Sequence, residues 1–132
     1  MSQENVEIIK RAVDAFNERD VETFMALTTP DFEWFPAMDR LLERGSYRGR
    51  EGIEAYFEVV SDTWEEFQVV PDGFRDLGDR VLVLGRAEGR GRSSGVRVDT
   101  PLGTVVEFRD GKMSRIRAYL DHDEASRAAG LS

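Results

Sequence analysis

The chain has 132 residues, a formal net charge of -8 and no cysteine. That length supports one domain with a core of its own, and the missing thiols exclude disulfides, thiolate metal sites and thiol nucleophiles while favouring a reducing cytoplasm. An acidic balance opposes phosphate-backbone binding, and no signal-peptide pattern or apolar run of membrane-spanning length occurs, so the expectation is a cytoplasmic protein with no nucleic-acid or membrane partner.

Val6, Ile9, Val13 and Phe16 make one stripe of an amphipathic helix from about Gln3 to Glu18, with Ala12 and Ala15 as small positions for close packing. Asp20 suits the N-cap of a second short helix that turns Val21, Phe24 and Leu27 inward and stops at Pro30. Asp31 to Pro36 reads as a short strand. Ala37 to Arg50 reads as a loop near a cavity mouth, extended at Ser46 to Arg48. Glu51 to about Trp64 is a third helix with a stripe of Ile53, Tyr56, Phe57 and Val60.

Strands then dominate. Phe67 to Phe74 is followed by the turn Asp76-Leu77-Gly78-Asp79, where glycine accepts a positive φ. A meander follows: a strand from Val81, a turn at Gly91 to Gly95, Val96 to Phe108, the Asp110-Gly111 hairpin turn, and Met113 to Leu120. Pro101 argues for a bulge or an edge. Asp121 with Glu124 forms a capping box for a last helix that ends at Gly130.

This order is α+β, with helices on one side of a curved antiparallel sheet, in a single domain over 1–132. Parity puts Val81, Val83, Gly85 and Ala87 on one face and Leu82, Leu84, Arg86 and Glu88 on the other. Ile116, Ala118 and Leu120 likewise oppose Arg115, Arg117 and Tyr119. Both faces are apolar where the Val81 strand starts, so the face away from the helices needs a cover, and a twin subunit is the simplest one.

Several stretches resemble SnoaL-like proteins of the nuclear transport factor 2-like superfamily. They are Asn5 to Arg11, Ala15 to Asp20, Pro30 to Trp34, Tyr47 to Ile53, Phe108 to Lys112 and Arg117 to Asp121. The resemblance implies a cone-shaped sheet wrapped around N-terminal helices, an internal pocket, and a homodimer through the convex sheet face. It implies no single activity. Ketosteroid isomerase uses a general-base aspartate, a tyrosine and a neutral aspartic acid. Those positions align here with Phe35, Ala12 and Thr104, so that reaction is rejected. Phe35 also replaces the aspartate of SnoaL-type cyclases. Arg86-Ala87-Glu88 resembles the Arg-x-Asp of limonene-epoxide hydrolase, whose last-strand carboxylate falls at Ala118.

Arg86 and Glu88 share one side of a strand and are the catalytic candidates, base and electrostatic partner, if that side faces the cone interior. Their alternative is a salt bridge at the rim. Trp34, Phe35 and Tyr56 are candidates for an aromatic pocket wall, with Thr104 and Ala118 as further pocket positions; packing is the competing reading for Phe35. Arg97, Asp99, Glu107, Arg115, Arg117 and Tyr119 fall on the convex parity, unless a bulge near Pro101 reverses it for Arg97 and Asp99. The single histidine, His122, lacks companions for a metal and reads as an exposed first-turn residue. Gly89 to Gly95 lacks the following helix of a phosphate loop and reads as a mobile hairpin tip. No cofactor or metal is called for. The resulting expectation is a binder of a small, largely apolar molecule, with or without isomerase, cyclase or hydrolase turnover. The alternative is a non-catalytic dimeric interaction module with a filled pocket.

Overall fold

The computed structural model describes residues 2–37 and 46–131. Most of the loop expected between Ala37 and Arg50 lies outside the described residues. The elements are α1 (Ser2–Asn17), α2 (Val21–Ala26), β1 (Thr28–Phe35), β2 (Tyr47–Arg48), α3 (Gly49–Thr63), β3 (Trp64–Asp76), β4 (Arg80–Gly91), β5 (Arg97–Arg109), β6 (Lys112–Tyr119) and α4 (His122–Ala128). The six strands form one sheet in the order β2-β1-β6-β5-β4-β3. It is mixed rather than wholly antiparallel: β1 runs parallel to β6, with Trp34 beside Ile116.

The N-terminal stripe packs as its spacing predicts. Ile9 and Phe16 are buried, Val6 and Val13 half-buried, and Ala12 and Ala15 bring α1 close to the sheet. The segment after α1 fastens it there. The Asn17 amide donates to the Val69 carbonyl at 3.0 Å and accepts from the Val69 N–H at 2.9 Å. Arg19, at φ 59, donates to the carbonyls of Phe16 and Phe67 and lies over the Phe16 ring. Because β3 is the sheet's end strand, these side chains satisfy backbone groups that no neighbouring strand can. Asp20 then caps α2 by accepting from the Thr23 N–H.

Pro30 does not end α2. The helix stops at Ala26, and Pro30 sits inside β1, where the β1–β6 register is irregular and a missing donor is tolerated. At Pro101 the β4–β5 ladder runs without a bulge, pairing Pro101 with Arg86. β6 reaches β5 only as far as Gly103, so Pro101 belongs to an edge. The tip after β4 is anchored rather than loose, because Arg92 donates to the carbonyls of Ser61 and Trp64 at the C-terminal end of α3.

The outer face of β4 is covered from within the chain. Asp121 accepts from the Asp123 and Glu124 N–H groups and starts α4, whose Ala125 and Ala129 pack on Leu82, Val105 and Tyr119. Gly103 makes this approach possible, since a Cβ there would lie 2.4 Å from that of Ala125. His122 is half-buried instead of exposed, its Nε2 2.8 Å from the Gly85 carbonyl. The remaining outer face is charged: Glu33 pairs with Arg48 and Arg115, and Arg115 lies near Glu107. Among the described residues no helix is long and apolar enough to cross a membrane.

Two outcomes test this account. Asn17→Ala should lower unfolding stability by about 1–3 kcal/mol, because it leaves both Val69 groups without their partner. Urea denaturation reads this, and an unchanged midpoint would show that α1 does not depend on the clamp. The second outcome concerns the exposed pair Asp31–Arg109, 2.5 Å apart, which joins β1 to the end of β5. The Arg109 hydrogen bond, helped by the Thr29 hydroxyl, lowers the Asp31 carboxyl from 3.8 to about 2. A lowered folded pKa contributes stability above 3.8 that disappears as pH falls toward 2. Asp31→Asn should therefore melt slightly below the parent near neutrality and level with it at the acid end of that window. A melting difference independent of pH would exclude the ion pair as its cause.

Candidate functional site

Side chains alternate across each strand, so the register fixes which residues meet above the sheet. One inward row, Trp34–Ile116–Val106–Val81, crosses β1, β6, β5 and β4 and is bulky throughout. The next row, Ala118–Thr104–Val83, is smaller, and beyond it β4 offers only Gly85 and Ala87. The sheet's floor drops where side-chain volume falls. Above the drop, α1 and α3 remain held at a distance set by Phe16, Tyr56 and Val60. The space left is a cavity of about 210 Å³.

Its walls are aromatic and braced against one another. Trp34 stacks on Phe24 with centroids 4.8 Å apart and planes 8° apart, and meets Tyr56 edge-on at 4.5 Å. Phe16 meets Trp34 at 5.9 Å and Phe67 at 6.1 Å, both edge-on. Such pairs contribute about 0.5–1.5 kcal/mol each beyond burial, which fixes the wall's shape. Both tryptophans of the chain, Trp34 and Trp64, line the cavity. Among the described residues that line it, none is Asp, Glu, His, Lys or Arg. Of the lining side chains, Thr63, Thr104, Tyr56 and the two tryptophans carry a polar N or O atom.

Trp34, Tyr56, Thr104 and Ala118 all line this space, as does Ala12. Phe35 does not. As the residue after Trp34 it points to the outer face, half-buried, with the Arg117 guanidinium 4.6 Å from its ring centre. Arg86 and Glu88 also point outward, because the inward residue of that triplet is Ala87. They pair with each other, and Arg86 reaches Asp99 at 3.3 Å. Their side chains are 45% and 33% exposed, so the rim reading describes their position. Two carboxylates beside one exposed guanidinium form a surface cluster, where solvent screening keeps each interaction weak. Among the described residues no group of three His, Asp or Glu side chains is placed to hold a metal.

Val83, Leu102, Trp64 and Phe67 also line the cavity and were not singled out from sequence. For Val83 the signal was present in its shared parity with Ala87. Trp64 falls at the junction of α3 and β3, where neither helical nor strand periodicity assigns a face.

The SnoaL-like domain family matches residues 9–116. In structure the chain is similar to an NTF2-like protein from Burkholderia xenovorans LB400, with 29% identity, a TM-score of 0.76 and 98% of each chain covered. It is also similar to TerC, co-crystallised with polyporic acid, with 26% identity, a TM-score of 0.79, and 96% of this chain and 98% of that one covered. An NTF2-like protein of unknown function from Burkholderia pseudomallei K96243 shares the fold at 24% identity and a TM-score of 0.80, over 94% of this chain and 95% of that one. None of the curated proteins matches the chain. With its six-stranded, unclosed curved sheet around N-terminal helices and the match across residues 9–116, the chain belongs to the SnoaL-like family on the nuclear transport factor 2-like cone fold.

Proposed function

We propose that this protein binds a small, largely apolar, planar molecule in the cavity between its helices and sheet. The observation that carries the reading is the lining: about 210 Å³ bounded by braced aromatic and aliphatic side chains, with a few neutral polar atoms. A cavity of roughly 150 Å³ with apolar walls accepts benzene, so this one suits one or two fused rings of about eight to twelve non-hydrogen atoms. Trp34 and Tyr56 offer ring faces and edges, Thr104 a hydroxyl, and Ala118 the open floor. TerC, which was co-crystallised with polyporic acid, supports a small organic ligand.

The reading is of binding rather than proton relay. Tyr56 is the one ionisable side chain among the described lining residues. No carboxylate, imidazole or amine stands among those lining residues to take a proton near neutral pH. Glu88 and Arg86 lie on the opposite face and have no part in it.

1,4-Naphthoquinone is a suitable probe, since the chain has no thiol to trap it and both tryptophans report on the cavity. It should quench tryptophan fluorescence saturably, with a sub-millimolar dissociation constant, and raise the melting temperature. Ala87→Leu and Ala118→Leu, which fill the floor, should abolish saturable quenching while circular dichroism shows a folded chain. Glu88→Gln should bind as the parent does. Linear, collisional quenching that is equal in the parent and both leucine variants would defeat the reading. Weakened binding in Glu88→Gln would return the outer-face pair to the site.

A further inference from the structure

We infer that the cavity selects ligands by charge state: it takes a weakly acidic aromatic molecule, such as a phenol, only as the neutral acid. This rests on the binding role proposed above and adds the ionisation state of what is bound. Beneath the cavity the strands carry their charges on the other side; Asp76, level with the inward Val81, lies at the end of β3 and is not among the lining residues. Arg86 and Glu88 of β4, Asp99 of β5, and Arg115 and Arg117 of β6 all project outward, while Val83, Ala87, Thr104 and Ala118 of the same strands line the cavity.

Among the described residues, the groups near the cavity give an anion little. From α3 comes the Tyr56 hydroxyl. Just past the C-terminal end of α1, Arg19 lies over the Phe16 ring and close enough to Tyr56 to interact with it electrostatically, with its N–H groups donated to the Phe16 and Phe67 carbonyls. Lys10 of the same helix lies over Phe74. From β1 and β3 the lining residues are Trp34, Trp64, Phe67 and Val69, none of them charged. His122 at the start of α4 is engaged by the Gly85 carbonyl. An anion moved here from water loses its hydration and gains only neutral N–H and O–H donors, whereas the protonated form loses far less.

Two consequences follow for a phenol. Below its pKa, affinity is independent of pH; above it, apparent affinity falls about tenfold per pH unit as the neutral fraction falls. Each phenolate that binds above the pKa takes up one proton from solution, and the bound species is the uncharged phenol.

Calorimetric titration with 4-nitrophenol, which ionises near neutrality, tests this from about pH 6 to about pH 9, where histidine is the side chain that ordinarily titrates. 4-Nitroanisole serves as the ionisation-free control. The expected result is a flat affinity for the anisole, a tenfold-per-unit decline for the phenol above its pKa, and a bound absorption spectrum of the phenol rather than the yellow phenolate. If the anisole binds and the phenol's affinity stays constant or rises with pH, charge selection is overturned while the binding role stands. If neither probe binds at the acid end, the binding role fails and takes this inference with it.

Discussion

The clamp between Asn17 and the Val69 backbone is the contact on which the cavity depends. A helix above a sheet needs no particular distance from it, and apolar surfaces left to themselves would close the gap. Here the end of α1 is tied to the end strand by two hydrogen bonds from one amide, and Arg19 adds a third to Phe67. This sets where Ala12 and Phe16 sit relative to β3 and β4. The fastening uses directional, backbone-matched bonds where general hydrophobic contact could slide. It also accounts for the closely spaced Asn17, Arg19 and Asp20: one binds the strand edge, one turns the chain in the left-handed region, one caps the next helix.

Below the clamp, a step in side-chain size creates the space. The four-strand row ending at Trp34 fills its layer, and the neighbouring row with Ala118 and Thr104 does not. The ring pairs around Trp34 keep the wall from collapsing into that gap, because each ring is already placed against another. Alternation then sorts the chemistry. Away from the patch under α4, one residue along a strand exchanges the uncharged interior for an exterior lined by charge, as Trp34 and the Arg117-covered Phe35, or Ala87 and Glu88, each illustrate.

Much of this was legible in the sequence because it is local. The caps at Asp20 and Asp121, the stripe of α1, the Asp110-Gly111 turn and the two parities of β4 and β6 each follow from a few adjacent residues. Periodicity, however, shows that Arg86 and Ala87 face opposite ways without saying which way is in. That choice is made by distant packing, α1 on one side and α4 on the other. The resemblance to a hydrolase motif left open whether Arg86 and Glu88 face in or out, and Ala87 holds the inward position. Phe35 was grouped with its aromatic neighbour Trp34 as a wall candidate, with packing as the competing reading; one residue along the strand reverses its face. The cover supplied by α4 was hidden for another reason: Gly103 and Ala125 are distinctive only as a pair, and they lie 22 positions apart.

Pro101 has a consequence outside the fold's own energetics. Beyond Gly103 the β5 strand extends past β6, so its residues from Arg97 onward present an open flank to other molecules. Strands exposed in this way template the addition of foreign strands and, repeated, lead to aggregates. A proline offers no N–H to such a strand, and Arg97 and Asp99 beside it would have to surrender hydration to be covered. The far end of the sheet is blunted differently, by an asparagine and an arginine occupying the groups an intruder would seek. The unclosed sheet is thus made unattractive to polymerisation at two of its exposed borders.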